Sequence, residues 1–325
     1  MDQSILITGA GGQDAYFLSK SLKRKSAYKI IGLSYKDDEK SIQKHSALSF
    51  FDEIINISLD NYKALNTFIA SSKPKYIFNF GAIAGSLTQF DNPESLVGIN
   101  SISVLNMLET IRINELDTKF IQASSSEVFP LNKSYKQSSK SIRKPRTIYG
   151  ASKIFSDSLI EVYREQFNID CFSVVLFSHE SPLRKDVFFS KKLINQIFDY
   201  VDKKIDKICV YSPNAKRDWG YAGDYCNYIV DKALSGNKED LIVGSGTVNT
   251  VKGFVEEALS FFNLDYNDVV QEIEMPKDRA SEETYVYLDP DKMDPDLRQY
   301  LKYDLTKLLR LLIRHKRYIK FKKDK

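Results

Sequence analysis

The apolar run Ile5-Leu6-Ile7, followed directly by Thr8-Gly9-Ala10-Gly11-Gly12-Gln13-Asp14-Ala15 and then by a helical pattern, restricts the possible folds more than any other segment. It reads as a strand, a glycine-rich turn and a helix. Gly9 and Gly12 permit a tight turn with close backbone approach, and Ala15 supplies the third small residue. The amides at the start of such a helix lack partners and lie at the positive end of its dipole, which suits a pyrophosphate. A GxxGxxA spacing is a weaker signal than GxGxxG, but a second strand from Tyr28 to Ser34 completes the first half of a dinucleotide-binding sheet.

Further apolar runs near 53–57, 75–80, 118–123 and 171–177 alternate with helical patterns. Such alternation predicts an α/β fold with a Rossmann-type, doubly wound parallel sheet covered on both faces. The run Tyr76–Phe80 ends in Gly81-Ala82, a small-residue turn suited to a flat ring or a sugar, or simply a tight strand end. Regularity stops after Ser178, where a loop bearing His179-Glu180-Ser181-Pro182 begins, and a smaller C-terminal α/β domain is expected beyond it.

Two segments bring acid/base groups to this frame. Tyr149 and Lys153 are four residues apart, the spacing at which side chains stack along a helix, so the ammonium favours the ionised phenol. Tyr149 is thereby a candidate general base. A lone YxxxK more often marks a surface pair on an amphipathic helix; beside a dinucleotide turn and the stretch Ser124-Ser125-Ser126-Glu127, the chemical reading prevails.

With 325 residues, 42% of them hydrophobic, the chain can build one large or two modest cores. The net charge of +4 is too mild to argue for a nucleic-acid partner, and three scattered His provide no metal-ligand cluster. Cys171, Cys209 and Cys226 have no paired spacing, and neither a signal peptide nor a membrane span is expected, so the chain reads as cytoplasmic and reduced.

Four segments carry a family resemblance: Ile7–Asp14, Gln122–Glu127, Leu176-Phe177-Ser178-His179-Glu180-Ser181-Pro182, and Arg217-Asp218-Trp219-Gly220. Together they resemble the extended short-chain dehydrogenase/reductase superfamily and, within it, the GDP-mannose 4,6-dehydratase family. Nucleotide-sugar epimerases and decarboxylases share features of the first two; the last two look like these dehydratases in particular. The resemblance spans roughly residues 4 to 290.

What it implies is specific. A dinucleotide-binding domain would occupy 1–178 plus about 214–248, and a nucleotide-sugar-binding domain about 179–213 plus 249–325. The enzyme would be a hydro-lyase with no net redox change and a tightly held cofactor. Tyr149, aided by Lys153, would accept the sugar O4 proton, Ser125 would hydrogen-bond the reacting oxygen, and Glu127 would remove the C5 proton before water leaves C6. The product would be a 4-keto-6-deoxy sugar. Cofactor contacts would fall on Gly9, Gly12, Gln13, Asp14, Ser34, Lys36, Tyr149 and Lys153. Substrate contacts would fall on Ser178, Glu180, Arg184, Arg217, Arg279 and Glu282. Planar guanidinium groups suit a diphosphate, with Arg217 the leading candidate and Arg184 equally consistent with a surface salt bridge. Trp219 reads as packing.

Departures from the family pattern sharpen the expectations. Ser34-Tyr35-Lys36-Asp37-Asp38 replaces an Arg-Arg pair that grips the cofactor's 2'-phosphate. Ser34 and Lys36 still offer phosphate partners and no acid ends the strand, so NADP is expected, with NAD the alternative through Asp37 or Asp38. The same segment joins subunits in the family's tetramers, which leaves a homo-oligomer expected as a helix-paired dimer or a tetramer. The resemblance makes GDP-mannose or a variant GDP-hexose the expected substrate, but Gly81-Ala82-Ile83-Ala84-Gly85-Ser86, Ser178, Leu183 and Tyr221 alter the expected sugar pocket and argue for a sugar other than mannose itself, such as a different GDP-hexose, an amino sugar or a heptose, with another nucleotide also open. Two other readings stay open: a C4 epimerase or oxidoreductase that loses no water, and a catalytically silent nucleotide-sugar-binding paralogue. The basic tail Arg310–Lys323 is expected as a final amphipathic helix packed on the small domain, with a frayed lysine-rich end, rather than as a membrane contact.

Overall fold

The computed structural model describes residues 3–35, 50–83, 92–130, 136–274 and 285–323. Among these residues the strands are β1 (Ser4–Thr8), β2 (Lys29–Ser34), β3 (Glu53–Asn56), β4 (Tyr76–Asn79), β5 (Lys119–Ser125) and β6 (Cys171–Leu176). They continue with β7 (Ser178–Glu180), β8 (Ile208–Tyr211), β9 (Lys216–Tyr221), β10 (Leu241–Val243), β11 (Val248–Thr250), β12 (Val270–Ile273) and β13 (Tyr285–Val286). The chain divides into two compact units.

The first unit comprises Met1–Pro130, Ser139–Leu176 and Cys226–Val243. Its described strands form a seven-stranded sheet in the order β3-β2-β1-β4-β5-β6-β10, with every pairing parallel. This is the doubly wound arrangement, whose order reverses between β1 and β4. Strands β1 and β6 are buried along their whole length because helices cover both faces. On one face Leu6, Ile77 and Phe120 pack against Leu65 and Ile69, Met107 and Leu108, and Ile160 from three helices. On the other, Cys226 of the Ala222–Leu234 helix reaches the backbone of the Gln13–Lys25 helix, and Lys25 pairs with Asp231 at 2.7 Å.

Among the described residues one helix, Pro93–Ile113, is long and apolar enough to cross a membrane by length and composition, although the sequence suggested no such segment. Half of its apolar window is buried, with Val104, Met107, Leu108 and Ile111 in the core of the first unit. The apolarity is thus used in packing, and a π-helical turn at Gly98–Ile102 interrupts the helix.

The second unit has its own core, in which Leu193, Ile194, Ile197 and Phe198 meet Phe254 and Val255 and Leu308, Leu309, Leu312 and Ile313. Each of these helices presents apolar residues at one-face spacing. Strand β9 pairs with β11 antiparallel and with β7 and β13 in parallel, while β8 and β12 form a separate parallel pair. Trp219 is buried among Phe189 and Phe254, as packing requires.

The expected domain boundaries need correction. Residues 214–225 and 244–248, expected with the dinucleotide-binding domain, fall in the second unit. The reason is β9 itself, which pairs only within that unit and whose Asp218 accepts the N–H groups of Ser245 at 2.7 Å and Gly246 at 2.8 Å. Gln137 also belongs there, through a bridge to Leu288. The lysine-rich tail differs as well: it is helical through Lys323 instead of frayed.

Candidate functional site

The glycine-rich turn leaves β1 at the point where the strand order reverses. Gly9 adopts φ +73°, a left-handed conformation that side chains resist, and a Cβ there would lie 2.7 Å from the Cα of Gly81. A Cβ on Gly81 would in turn meet the Gly9 nitrogen at 3.0 Å. The two turns therefore approach backbone to backbone, and the crevice edge is bare of side chains. Gly12 donates to the Gly9 carbonyl at 2.8 Å and caps the Gln13–Lys25 helix without a side-chain acceptor. A helix start of this kind fits a dinucleotide pyrophosphate. Gln13 is buried there, Asp14 lies in the first turn, and Ser34 is buried at the C-terminal end of β2. Lys36 lies outside the described residues.

Below the crevice runs a row of polar side chains that strand periodicity did not reveal. Parallel register places Thr8, Asn79, Gln122 and Ser173 side by side, and all four are buried. The Thr8 hydroxyl donates to Asn79 Oδ1 at 2.7 Å and accepts the Gly81 N–H at 2.8 Å. Asn79 Nδ2 donates to Gln122 Oε1 at 2.8 Å, and Gln122 Nε2 to the Ala123 carbonyl at 2.8 Å. Each buried group is satisfied by its neighbour, so the network ties the glycine turns to the end of β5.

At that end stand the residues expected to carry acid/base chemistry. Thr147 caps the Ile148–Phe167 helix by accepting the Gly150 N–H at 2.9 Å. A Cβ on Gly150 would lie 2.5 Å from the Glu127 carbonyl oxygen, so glycine here lets the helix start abut the Ser125–Glu127 turn. Half-buried Tyr149 is the neighbouring residue. Lys153, 3% exposed, donates to the Ala123 carbonyl at 2.8 Å and holds its ammonium 5.7 Å from the Tyr149 ring centroid. Burial pushes its pKa down from 10.5 to about 8, against the pull of Asp157. Ser125 accepts the Glu127 N–H at 3.2 Å, which leaves its own proton to donate. The Glu127 carboxylate is fixed by Arg146 at 3.3 Å.

Sequence reasoning missed several supports. Burial pushes the Arg146 guanidinium down while Glu127 opposes the shift. Arg146 stands three residues before Tyr149, and its partner was not readable from spacing. Asn100 accepts the Ile83 N–H at 2.9 Å and donates to its carbonyl at 3.0 Å, and its Nδ2 lies 3.4 Å from Ser152 Oγ. Asp157, one turn beyond Lys153, accepts the hydroxyls of Ser124 and Ser173, each at 2.7 Å, and pairs with Arg143. Burial pushes the Asp157 carboxyl up, opposed by Arg143. A Lys-x-x-x-Asp spacing on the same helix was the available signal.

The second unit holds the other expected residues on adjoining strands. Ser178 pairs with Trp219 and Glu180 with Tyr221, which sets β7 beside the strand bearing Arg217. Arg217 donates to the Lys216 carbonyl at 2.9 Å. Glu180, almost fully buried, accepts the Ser190 hydroxyl at 2.5 Å and lies 3.6 Å from Arg184 Nε. Arg184 also stacks 3.7 Å from the Phe188 ring. Glu180 and Arg184 are thus joined to one another. Arg279 and Glu282 lie outside the described residues.

The chain is similar to known proteins along most of its length. The family model described as GDP-mannose 4,6 dehydratase matches residues 6–321. The GDP-mannose 4,6-dehydratase of Sinorhizobium fredii is 28% identical over 318 residues, covering 94% of this chain and 90% of the relative. The human GDP-mannose 4,6 dehydratase is 27% identical over 321 residues, covering 93% and 84%. Among solved structures, a dTDP-glucose 4,6-dehydratase from Streptomyces venezuelae with NAD bound superposes with a TM-score of 0.83 at 16% identity, covering 97% of each chain.

Proposed function

This chain belongs to the GDP-mannose 4,6-dehydratase family, and from that premise we propose that it converts a GDP-hexose, GDP-mannose or a variant, into a 4-keto-6-deoxy sugar. The observation that carries the reading is the seating of Glu127 against Gly150. It sets the Glu127 backbone against the helix start that bears Tyr149, while Arg146, just before that helix, holds the Glu127 carboxylate at 3.3 Å. Oxidation at C4 alone needs a base for one hydroxyl, whereas elimination needs a second base for a carbon-bound proton. Tyr149 and Glu127 are assigned these two roles.

Gly9, Gly12, Gln13, Asp14 and Ser34, with Tyr149 and Lys153, would hold a nicotinamide dinucleotide in the crevice at the strand-order reversal. When bound, that group supplies a hydride acceptor for C4 and returns the hydride at C6. We favour NADP, because no acid ends β2 at Ser34. Tyr149 takes the O4 proton, with the Lys153 ammonium stabilising its phenolate. The Ser125 hydroxyl donates to the same oxygen as it becomes a carbonyl. That carbonyl acidifies C5, and Glu127 removes the C5 proton and delivers it to the C6 hydroxyl as the C6–O bond breaks and water leaves; the proton that Tyr149 took from O4 then goes to C5 as C6 is reduced. Arg217, Ser178, Glu180 and Arg184, carried on β9, β7 and the turn after it, are assigned to the nucleotide-diphosphate side of the substrate.

Incubation of the purified protein with GDP-mannose and with UDP-, CDP- and dTDP-hexoses, read by mass spectrometry, tests this reading. A product lighter by one water is expected from the GDP-sugar. An epimer of unchanged mass, or saturable binding without turnover, would overturn it. Glu127→Gln is expected to abolish water loss while C4 oxidation persists; equal dehydration by the variant would remove Glu127 from its role. The nucleotide released on denaturation distinguishes NADP from NAD by mass.

A further inference from the structure

The C-terminal helix Leu305–Lys323 has two halves with different surroundings. In the first, Leu308, Leu309, Leu312 and Ile313 are buried in the core of the second unit. The start of the helix is anchored: Asp224 Oδ2 accepts the N–H groups of Lys302 at 2.8 Å and Tyr303 at 3.1 Å, and the Tyr303 ring lies 4.3 Å from that of Tyr221. In the second half, Arg314, Arg317, Tyr318, Phe321 and Lys322 are all exposed. Their spacing places them on one face of the helix.

That face mixes cations with large apolar rings. Tyr318 is 55% exposed and Phe321 59% exposed. The Lys322 ammonium lies 4.9 Å from the Tyr318 ring and the Arg317 guanidinium 5.2 Å from that of Phe262. Leu305–Lys323 contains eight Lys or Arg and no Asp or Glu. Some of these cations are committed to the chain itself: Lys316 donates to Asn195 at 2.6 Å, and Lys320 pairs with Asp202. Arg314, Arg317 and Lys322 are not so committed to carboxylates among the described residues.

We propose that this stripe is a docking surface for an anionic lipid bilayer, with Tyr318 and Phe321 entering the headgroup boundary and Arg314, Arg317 and Lys322 contacting lipid phosphates. The pairing of exposed rings with cations on one helix face is what such a boundary accommodates. A duplex nucleic acid presents phosphates but no apolar layer for the rings, and the chain's net charge of only +4 provides no broad polyanion footprint. Because the helix is already formed and its first half packed, docking orders little additional chain.

The test is co-sedimentation of the full protein with phosphatidylcholine vesicles, alone or containing roughly 30 mol% phosphatidylglycerol. Retention on the anionic vesicles only, weakening as salt rises, is expected. Replacing Arg314, Arg317 and Lys322 together by Gln should lower the partition coefficient on the order of a hundredfold. Tyr318→Ser combined with Phe321→Ser should lower it roughly tenfold with the charge retained. Fluorescence of the only tryptophan, buried Trp219 in the same unit, checks that both variants are folded. No retention of the parent protein on anionic vesicles, or equal retention on neutral ones, overturns the proposal. Insensitivity to the aromatic variant, with equally tight binding to heparin or duplex DNA, would assign the face to a soluble polyanion and overturn it too.

Discussion

Lys153→Met should make the protein more stable and at the same time inactive. The Lys153 ammonium is 3% exposed, and burial holds its pKa at about 8 instead of 10.5. In the unfolded chain the same group keeps its ordinary value. Between pH 8 and 10.5 the unfolded state therefore binds the additional proton, and stability attributable to this group rises with pH across that window. Below pH 8 both states carry the charge and the folded state bears the full cost, about 3 kcal/mol. Methionine has a similar length and no charge to bury, but it forfeits the hydrogen bond to the Ala123 carbonyl, about 1 kcal/mol. A net gain of about 2 kcal/mol is expected at pH 7, or roughly 3 °C in Tm. The assay is thermal unfolding of parent and variant at pH steps from 7 to 10, beside turnover on GDP-mannose. The gain should shrink as pH rises and turnover should be lost throughout. A variant less stable than the parent at pH 7, or a stability difference indifferent to pH, would refute the burial argument.

Gly150→Ala forces a Cβ to within 2.5 Å of the Glu127 carbonyl, so about 1–3 kcal/mol of stability should be lost, with dehydration falling further than C4 oxidation; urea unfolding and product analysis together decide it. Thr8→Val deprives both the Gly81 N–H and Asn79 Oδ1 of their partner, which should cost about 2 kcal/mol in urea unfolding, and a neutral result would mean that the polar row is not closed. Asp157→Asn leaves the half-buried Arg143 without its carboxylate and Lys153 without a nearby negative charge. Its alkaline activity limb should move to lower pH; an unmoved limb would show that Asp157 serves only structure. Arg146→Met should reduce water loss with little change in substrate KM, since the guanidinium holds Glu127; a KM effect alone would reassign it to substrate binding.

The parallel sheet was legible because its inner strands are buried on both faces. Uninterrupted runs such as Ile5–Ile7 and Phe172–Leu176 have few structural alternatives once glycine turns and helical patterns bracket them. Gly9 and Gly12 were legible for a related reason, since a backbone turn with positive φ selects glycine directly. Tyr149 and Lys153 share a helix, and spacing along a helix is a local property. The domain boundary after β9 was not legible, because Asp218 binds Ser245 and Gly246 across 27 and 28 residues of chain.

The sequence alone determined the doubly wound sheet and the glycine crevice and singled out the candidate acid/base residues, all governed by burial, backbone sterics or local spacing. Tertiary structure decided how those parts are held. The reason is that a polar side chain in a strand reads as an exception to the apolar pattern until register reveals its neighbour. Thr8, Asn79 and Gln122 become a continuous network only when β1, β4 and β5 lie side by side. Glu127 acquires its guanidinium, and Gly150 its reason for lacking a side chain, only when the helix start is pressed against the end of β5.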